Sequence, residues 1–300
     1  MSLLSVVLPA YNEEAMLPKA ASVISGILEN ATINYELIFV NDGSRDNTWP
    51  EIEKCASENP HIHGVCFSRN FGKEAALMAG LSAAKGDCVA VMDCDLQHPP
   101  LLLVKMYELW QQGYEVVNAV KSDRGEESAL HRFAAKTFYK MMSSATKVDM
   151  SRAADYKLMD RKVVDTLLAM PEHDMFFRAA SSWVGYKTTE VPFEVQEREA
   201  GVSKWSTKSL IKYAVSNIAS YTSVPVLVLF WIGVILTLTG LVVGIVDLCI
   251  PSNGFAFFYT FLILTVGGVI LAGQGVVGYY ISKIYAEVQN RPRYIVSKKI

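Results

Sequence analysis

Two carboxylates one residue apart, Asp93 and Asp95, with the amide of Gln97 two positions further on, form the spacing richest in chemistry in this chain. Asp-x-Asp with an amide oxygen offers hard oxygen ligands suited to Mg²⁺ or Mn²⁺, and such an ion bridges a diphosphate and stabilises it as a leaving group. A bare Asp-x-Asp is common on exposed loops, so its place directly after the apolar run 88–92 is what gives it weight. Two more polar clusters close apolar runs, Pro9-Ala10-Tyr11-Asn12-Glu13 and Asn41-Asp42-Gly43-Ser44. Asn-Asp-Gly alone reads as turn chemistry, since these residues tolerate positive φ. Three such loops together offer an aromatic ring, several carboxylates and turn backbone to a nucleotide. Further along, Arg198-x-x-Gly201-x-Ser203-Lys204 combines guanidinium, glycine, hydroxyl and ammonium, a set able to wrap a phosphate.

Other chemistries are disfavoured. There is no GxGxxG and no GxxxxGK[ST], which argues against dinucleotide oxidoreductases and P-loop nucleotidases. His61 and His63 alternate on entry to a strand with no third ligand nearby and read as structural. Cys55, Cys66, Cys88, Cys94 and Cys249 form no CxxC pair and lie in apolar segments, so reduced, buried thiols are expected.

The elements that must position the three loops follow from periodicity. Residues 4–8, 36–41, 63–67, 88–92 and 115–119 are β-branched runs, separated by stretches of helical period. Such alternation predicts a parallel sheet with helices on both faces, whose ligands sit beyond the carboxyl ends of the strands. With a strand order 3-2-1-4 the three loops converge on one crevice. Residues 128–146 read as a basic amphipathic helix and 184–197 as strand-like.

The character then changes. Residues 1–213 hold 23 Lys/Arg against 28 Asp/Glu, and residues 214–300 hold 5 against 2. The net negative charge of the first part disfavours nucleic acid as a partner. Between 201 and 213 the only charges are Lys204, Lys208 and Lys212, one helical face suited to anionic headgroups. Residues 224–246 and 255–282 carry no charge and are each long enough for the roughly 30 Å hydrocarbon core. The connecting turn 247–254 has no Lys or Arg, whereas basic residues flank the pair on both outer sides. By the positive-inside rule both termini face the cytoplasm. The start of the chain lacks a basic leader and cleavage site, so the first domain is expected in the cytosol. The expected organisation is a cytoplasmic domain 1–200, juxtamembrane amphipathic helices 201–222, spans 223–248 and 255–282, and a basic tail 283–300. Glycines at 233, 240, 244, 267, 268, 273, 275 and 278 would permit close helix packing and a homo-oligomer.

With these residues in view the chain resembles family 2 glycosyltransferases, in the branch of bactoprenol glucosyltransferases related to dolichol-phosphate-mannose synthases. The resemblance rests on residues 9–13 and 41–44, the run Arg69-Asn70-Phe71-Gly72-Lys73-Glu74, residues 93–97 with Pro99, Asp155-Tyr156-Lys157-Leu158-Met159, residues 197–204 and the paired apolar helices. It implies a glycosyltransferase-A fold, a Rossmann-like parallel sheet with helices on both faces. It implies that Pro9, Tyr11, Glu13, Asp42 and Asp93 hold the nucleotide, and that Asp93, Asp95 and Gln97 hold Mg²⁺ or Mn²⁺ and the diphosphate. It implies that Asp155 and Asp95 are catalytic, and that Arg124, Arg132, Arg198, Ser203 and Lys204 lie near an acceptor phosphate. The implied reaction is inverting transfer of a hexose, by default glucose, from a UDP-sugar to undecaprenyl phosphate, at the bacterial cytoplasmic membrane and for cell-envelope glycan modification. His98 stands where relatives commonly have Asp, and Lys157 where they commonly have Arg, which loosens bidentate phosphate clamping.

A lipid monophosphate is already ionised near neutral pH, so Asp155 is as well suited to orient Lys157 or a sugar hydroxyl as to serve as a base. Competing readings are a processive polysaccharide synthase, whose Gln-x-x-Arg-Trp motif is absent, and a nucleotide-sensing membrane anchor or transport subunit without catalysis, which the intact Asp93, Asp95 and Asp155 disfavour.

Overall fold

The structure, a computed structural model, describes residues 2–121, 143, 154–172, 175–194, 224–249 and 256–300. It divides into two compact units, Met1–Ser206 with Pro292–Ile300, and Thr207–Arg291. The basic helix expected over 128–146 and the juxtamembrane segment 201–222 lie outside the described residues, apart from Ser143.

The first unit is built on eight strands: β1 (Leu3–Ala10), β2 (Asn34–Asn41), β3 (Ile62–Phe67), β4 (Cys88–Val91), β5 (Val116–Lys121), β6 (Lys157–Asp160), β7 (Thr188–Phe193) and β8 (Val296–Lys299). Their order is β7-β5-β6-β4-β1-β2-β3-β8. The expected 3-2-1-4 order is present and parallel throughout. These central strands are apolar along nearly their whole length because both faces are covered. Leu4, Val6 and Leu8 of β1 enter one core with Leu37 and Phe39 of β2. Val7, Ile38 and Val40 enter the other. Helices α1 (Leu17–Asn30), α2 (Thr48–Glu58) and α4 (Leu102–Gln111) pack on the first face. Helices α3 (Lys73–Ala83), α5 (Arg161–Ala169) and α6 (Phe177–Trp183) pack on the second.

The sheet is mixed, which corrects the expectation of a parallel one. β6 inserts antiparallel between β4 and β5, so β5 is not the neighbour of β4. A run of apolar residues reports burial and leaves pairing partner and direction open, and β6 is only four residues long. The tail expected over 283–300 is also different. Its first residues prolong a helix, and residues 296–299 form β8, antiparallel on the outer edge of β3. β8 is exposed along its length and carries Lys298 and Lys299, charges that protect an edge strand from further pairing. The same charges make it read as a tail.

The second unit holds α7 (Val224–Cys249) and α8 (Ala256–Val288), of 26 and 33 residues. At 1.5 Å per residue they are about 39 and 50 Å long. Among the described residues one stretch, Thr265–Val288, is long and apolar enough to cross a membrane by length and composition, and a shorter apolar stretch is Val226–Leu236. Phe230, Trp231, Ile235, Ile263 and Leu271 are exposed on these helices. Asp247, expected in the connecting turn, falls inside α7.

Two features of the first unit have measurable consequences. α3 crosses β1 so closely that a Cβ on Gly80 would stand 2.1 Å from Val7 Cγ1. Gly80→Ala should lower stability by about 1 to 3 kcal/mol through overpacking. In thermal unfolding, adding Val7→Ala should recover part of that loss, so the double variant is more stable than the summed single effects. The second feature is Lys157, fully buried on β6. Burial pushes its ammonium down to about 7 from 10.5, against the pull of Asp155. Between those values the unfolded chain holds a proton that the folded chain lacks, so this group makes stability rise with pH across the window and weighs fully against folding below it. Melting temperatures measured from pH 6.5 to 9 should therefore climb more steeply with pH in the wild type than in Lys157→Met.

Candidate active site

The loops after β1 and β2 are joined backbone to side chain. Asn12 has φ 54°, a left-handed conformation that Asn tolerates. Its N–H donates to Ser44 Oγ at 2.9 Å, and its own Oδ1 accepts from Arg45 N–H at 2.9 Å. Glu13 N–H donates to Thr48 Oγ1 at 2.8 Å, Asn47 N–H to Glu14 Oε2 at 2.8 Å, and Asp42 N–H to Ala10 O at 2.9 Å. Gly43 has φ 63°, and a Cβ there would lie 2.3 Å from the Arg69 carbonyl carbon, so both conformation and space demand glycine. A third loop, residues 68–72, therefore lies directly against the second.

Asp42 is almost wholly buried. Its carboxylate accepts from Phe71 N–H at 2.7 Å and from Gly72 N–H at 3.2 and 3.0 Å. Burial raises its pKa against these bonds. The side chain thus shapes the crevice by holding the 68–72 loop, which delivers Lys73 to the first turn of α3.

The Asp93–Gln97 loop follows β4. Met92 N–H donates to Val7 O at 3.1 Å, and Cys94 donates to Pro9 O at 3.3 Å, which ties this loop to the end of β1. Leu96 takes φ 55°, and Gln97 N–H donates to Asp95 Oδ1 at 3.1 Å. Pro9, Tyr11, Glu13, Asp93, Asp95 and Gln97 are all half-buried, at the carboxyl ends of the adjacent strands β1 and β4. His98 instead packs on Tyr156 and Phe193, with ring centroids 5.2 and 5.4 Å away.

Asp155, just before β6, completes the group. Arg178 clamps its carboxylate through Nε at 2.5 Å and Nη2 at 2.6 Å. Lys73 Nζ lies 3.3 Å from Asp155 Oδ2 and 2.7 Å from Asp93 Oδ1. Burial alone would raise the Asp155 pKa, but Arg178 and Lys73 outweigh it and hold the carboxylate well below its usual range. Burial alone would lower the Lys73 pKa, and Asp93 with Asp155 raise it instead. Glu74 stiffens the same junction by accepting from Phe177 N–H at 2.9 Å. A carboxylate so committed to two cations is a poor proton acceptor and a good anchor.

Lys73 and Arg178 were not among the expected site residues. Lys73 stands in the motif run 69–74 but without a chemistry of its own there, and Arg178 belongs to no motif. The one available signal was electrostatic, since three acidic loops converging need cations from elsewhere in the chain. Lys157, expected as a group that Asp155 could orient, is wholly buried and feels the Asp155 charge. Its ammonium donates to Ser181 Oγ at 2.5 Å and sits 5.1 Å from the Phe177 ring, so it supports α6 from the core. His63 lies 3.7 Å from Glu36 and His61 packs on Tyr35, in keeping with structural roles. Cys55, Cys66, Cys88 and Cys94 are free and buried. Arg124, Arg132, Arg198, Ser203 and Lys204 lie outside the described residues.

Among the described residues no group of three or more His, Cys, Asp or Glu side chains is arranged to hold a metal. Asp93, Asp95 and Gln97 offer two carboxylates and an amide, which fits a hard divalent ion that takes its other ligands from phosphate and water.

The family described as "Glycosyl transferase family 2" matches residues 5–168. An uncharacterized glycosyltransferase of Synechocystis sp. is 38% identical over 301 residues, covering 98% of this chain and 94% of its own. A prophage-derived bactoprenol glucosyl transferase of Shigella flexneri is 37% identical, covering 98% and 97%. Among solved structures, glucosyl-3-phosphoglycerate synthase of Mycobacterium tuberculosis, in complex with Mn²⁺, UDP-glucose and phosphoglyceric acid, aligns with a TM-score of 0.51 and 22% identity over 73% of this chain and 78% of its own. That likeness establishes a glycosyltransferase-A-like α/β fold. The chain belongs to glycosyl transferase family 2 and is a glycosyltransferase.

Proposed function

We propose that this glycosyltransferase moves a hexose, glucose by default, from a UDP-sugar to a polyisoprenyl phosphate such as undecaprenyl phosphate, inverting the anomeric carbon. The observation that carries the reading is the convergence of the loops after β1, β2 and β4 on a crevice whose carboxylates, Asp93 and Asp155, share the ammonium of Lys73. The acceptor class is supported by the 37% identical relative named bactoprenol glucosyl transferase.

In this reading Tyr11 and Glu13 line the nucleoside pocket with Pro9, and Asp42 keeps its wall in place. Asp93, Asp95 and Gln97 hold Mg²⁺ or Mn²⁺, which when bound supplies Lewis-acid stabilisation of the departing diphosphate. Asp155 is a positioning carboxylate: it holds Lys73 and Arg178 where negative charge gathers during transfer, and the acceptor, already an anion, needs no base. Arg124, Arg132, Arg198, Ser203 and Lys204 receive the acceptor phosphate near the membrane surface.

Membrane attachment through α7 and α8, with the catalytic unit and both termini cytoplasmic, is part of the same reading. It draws support from the apolar stretch Thr265–Val288 and from the assignment of Pro292–Ile300 to the catalytic unit. A chain that leaves one unit and returns to it crosses a membrane an even number of times.

Turnover of UDP-glucose with undecaprenyl phosphate, compared with other nucleotide sugars, tests the reaction. Activity should vanish in excess chelator and return with Mn²⁺ or Mg²⁺, and Asp95→Asn should lower kcat by at least about 100-fold with an unchanged melting temperature. Full activity in chelator would falsify the metal assignment. For the topology, Ser252→Cys should react with an impermeant maleimide applied outside the cytoplasmic membrane, and Ser297→Cys should react only after permeabilisation.

A further inference from the structure

β8 and the residues that lead into it follow α8, run antiparallel along β3, and begin beside the 68–72 loop. Both ends of this segment are fastened. At its start Arg293 Nη2 donates to Met170 O at 2.6 Å. At its end Ile300 and Gly64 exchange backbone hydrogen bonds of 3.0 and 3.1 Å. A Cβ on Gly64 would approach Ile300 Cγ1 to 3.0 Å and Ile52 Cγ2 to 2.6 Å, so the glycine keeps the seat for Ile300 open. Between the ends, Ser297 Oγ donates to Cys66 O at 3.1 Å, and Ser68 N–H donates to Ile295 O at 3.0 Å. The segment thus pairs with β3 up to the residue where the 68–72 loop begins.

An edge strand alone would be a structural guard. What distinguishes this one is an aromatic relay from Tyr294 into the crevice wall. The Tyr294 ring stacks on Phe67, with centroids 5.0 Å apart and planes 14° from parallel. Phe67 in turn meets Phe71 edge to face at 5.7 Å. Phe71 and Tyr294 are partly buried against the same core. Phe71 is the residue whose N–H grips Asp42 at 2.7 Å, and Gly72 and Lys73 follow it. Arg69 covers the Phe71 ring from 4.1 Å. Without Tyr294, Phe67 loses one stacked face and the loop loses the floor that fixes the Asp42 bonds, whereas Lys73 stays held by Asp93 and Asp155.

We propose that residues 292–300 act as a strap that sets the donor crevice, with Tyr294 as a positioning residue for the nucleoside diphosphate through Phe67, Phe71 and Asp42. This rests on the reading that the Asp42 and 68–72 loops wall the donor pocket. Through the strap, occupancy of the donor site depends on the segment that follows α8, and the acceptor site does not.

The test uses the full chain with Tyr294→Ala, Tyr294→Phe and Asp42→Ala. UDP affinity is measured by calorimetry in the presence of Mn²⁺, and KM for donor and acceptor is measured separately from kcat. Tyr294→Ala should raise the UDP dissociation constant and the donor KM about three- to tenfold, the range of one lost aromatic pair. Acceptor KM and kcat should stay within about twofold, and Tyr294→Phe, which keeps the ring, should match the wild type. An unchanged UDP affinity in Tyr294→Ala, with only a lower melting temperature or a smaller active fraction, overturns the strap and leaves β8 as an edge guard. Asp42→Ala separates this from the underlying reading. If Asp42→Ala leaves UDP affinity intact, Asp42 has no part in the donor wall and the relay as drawn is overturned. If it weakens UDP binding while Tyr294→Ala does not, the donor reading stands and the strap alone falls.

Discussion

The arrangement turns on a chain of alternating charge, Asp93, Lys73, Asp155 and Arg178, whose contacts run from 2.5 to 3.3 Å. Two carboxylates this close in a partly buried site would repel each other and lose solvation. The two cations remove that penalty and leave the cluster neutral. Its four members come from the loop after β4, the start of α3, the entrance of β6 and the first turn of α6, so the cluster exists only if those four elements meet. The insertion of β6 beside β4 becomes intelligible in this light, because it sets Asp155 next to the Asp93 loop.

Around that cluster the protein uses backbone donors where a sequence pattern suggests free carboxylates. Asp42 is satisfied by Phe71 and Gly72, Asp95 accepts from Gln97 N–H, and Glu74 accepts from Phe177 N–H. A carboxylate held by N–H groups has a fixed direction, and fixed directions are what a site needs before its ligand arrives. Lys157 extends the same logic inward. With one hydrogen bond to Ser181 and Phe177 beneath it, this buried side chain holds α6, and hence Arg178, at a cost in desolvation.

The parallel heart of the fold was legible from the chain because strands covered on both faces are nearly all apolar, and because turn-forming Asn, Asp and Gly close them. That was enough to put Pro9, Tyr11, Glu13, Asp42, Asp93, Asp95 and Gln97 on neighbouring loops at the carboxyl ends of β1, β2 and β4. It was not enough for β6 and β8, one carrying a buried lysine and the other two exposed ones, so that neither has the pattern of a strand. Nor could spacing reveal the ion pairs. Lys73 and Asp155 are 82 residues apart, and Arg178 and Asp155 are 23 apart, so their contact is a property of the completed sheet and leaves no local mark.

The position of β8 adds a constraint that the catalytic cluster does not supply. A segment following a long apolar helix would ordinarily be free to fray, since terminal residues lose little by doing so. Here the final residues complete the edge of β3, exchange backbone bonds at Gly64 and stack on Phe67. The first unit is therefore completed by residues that follow α7 and α8 in the sequence.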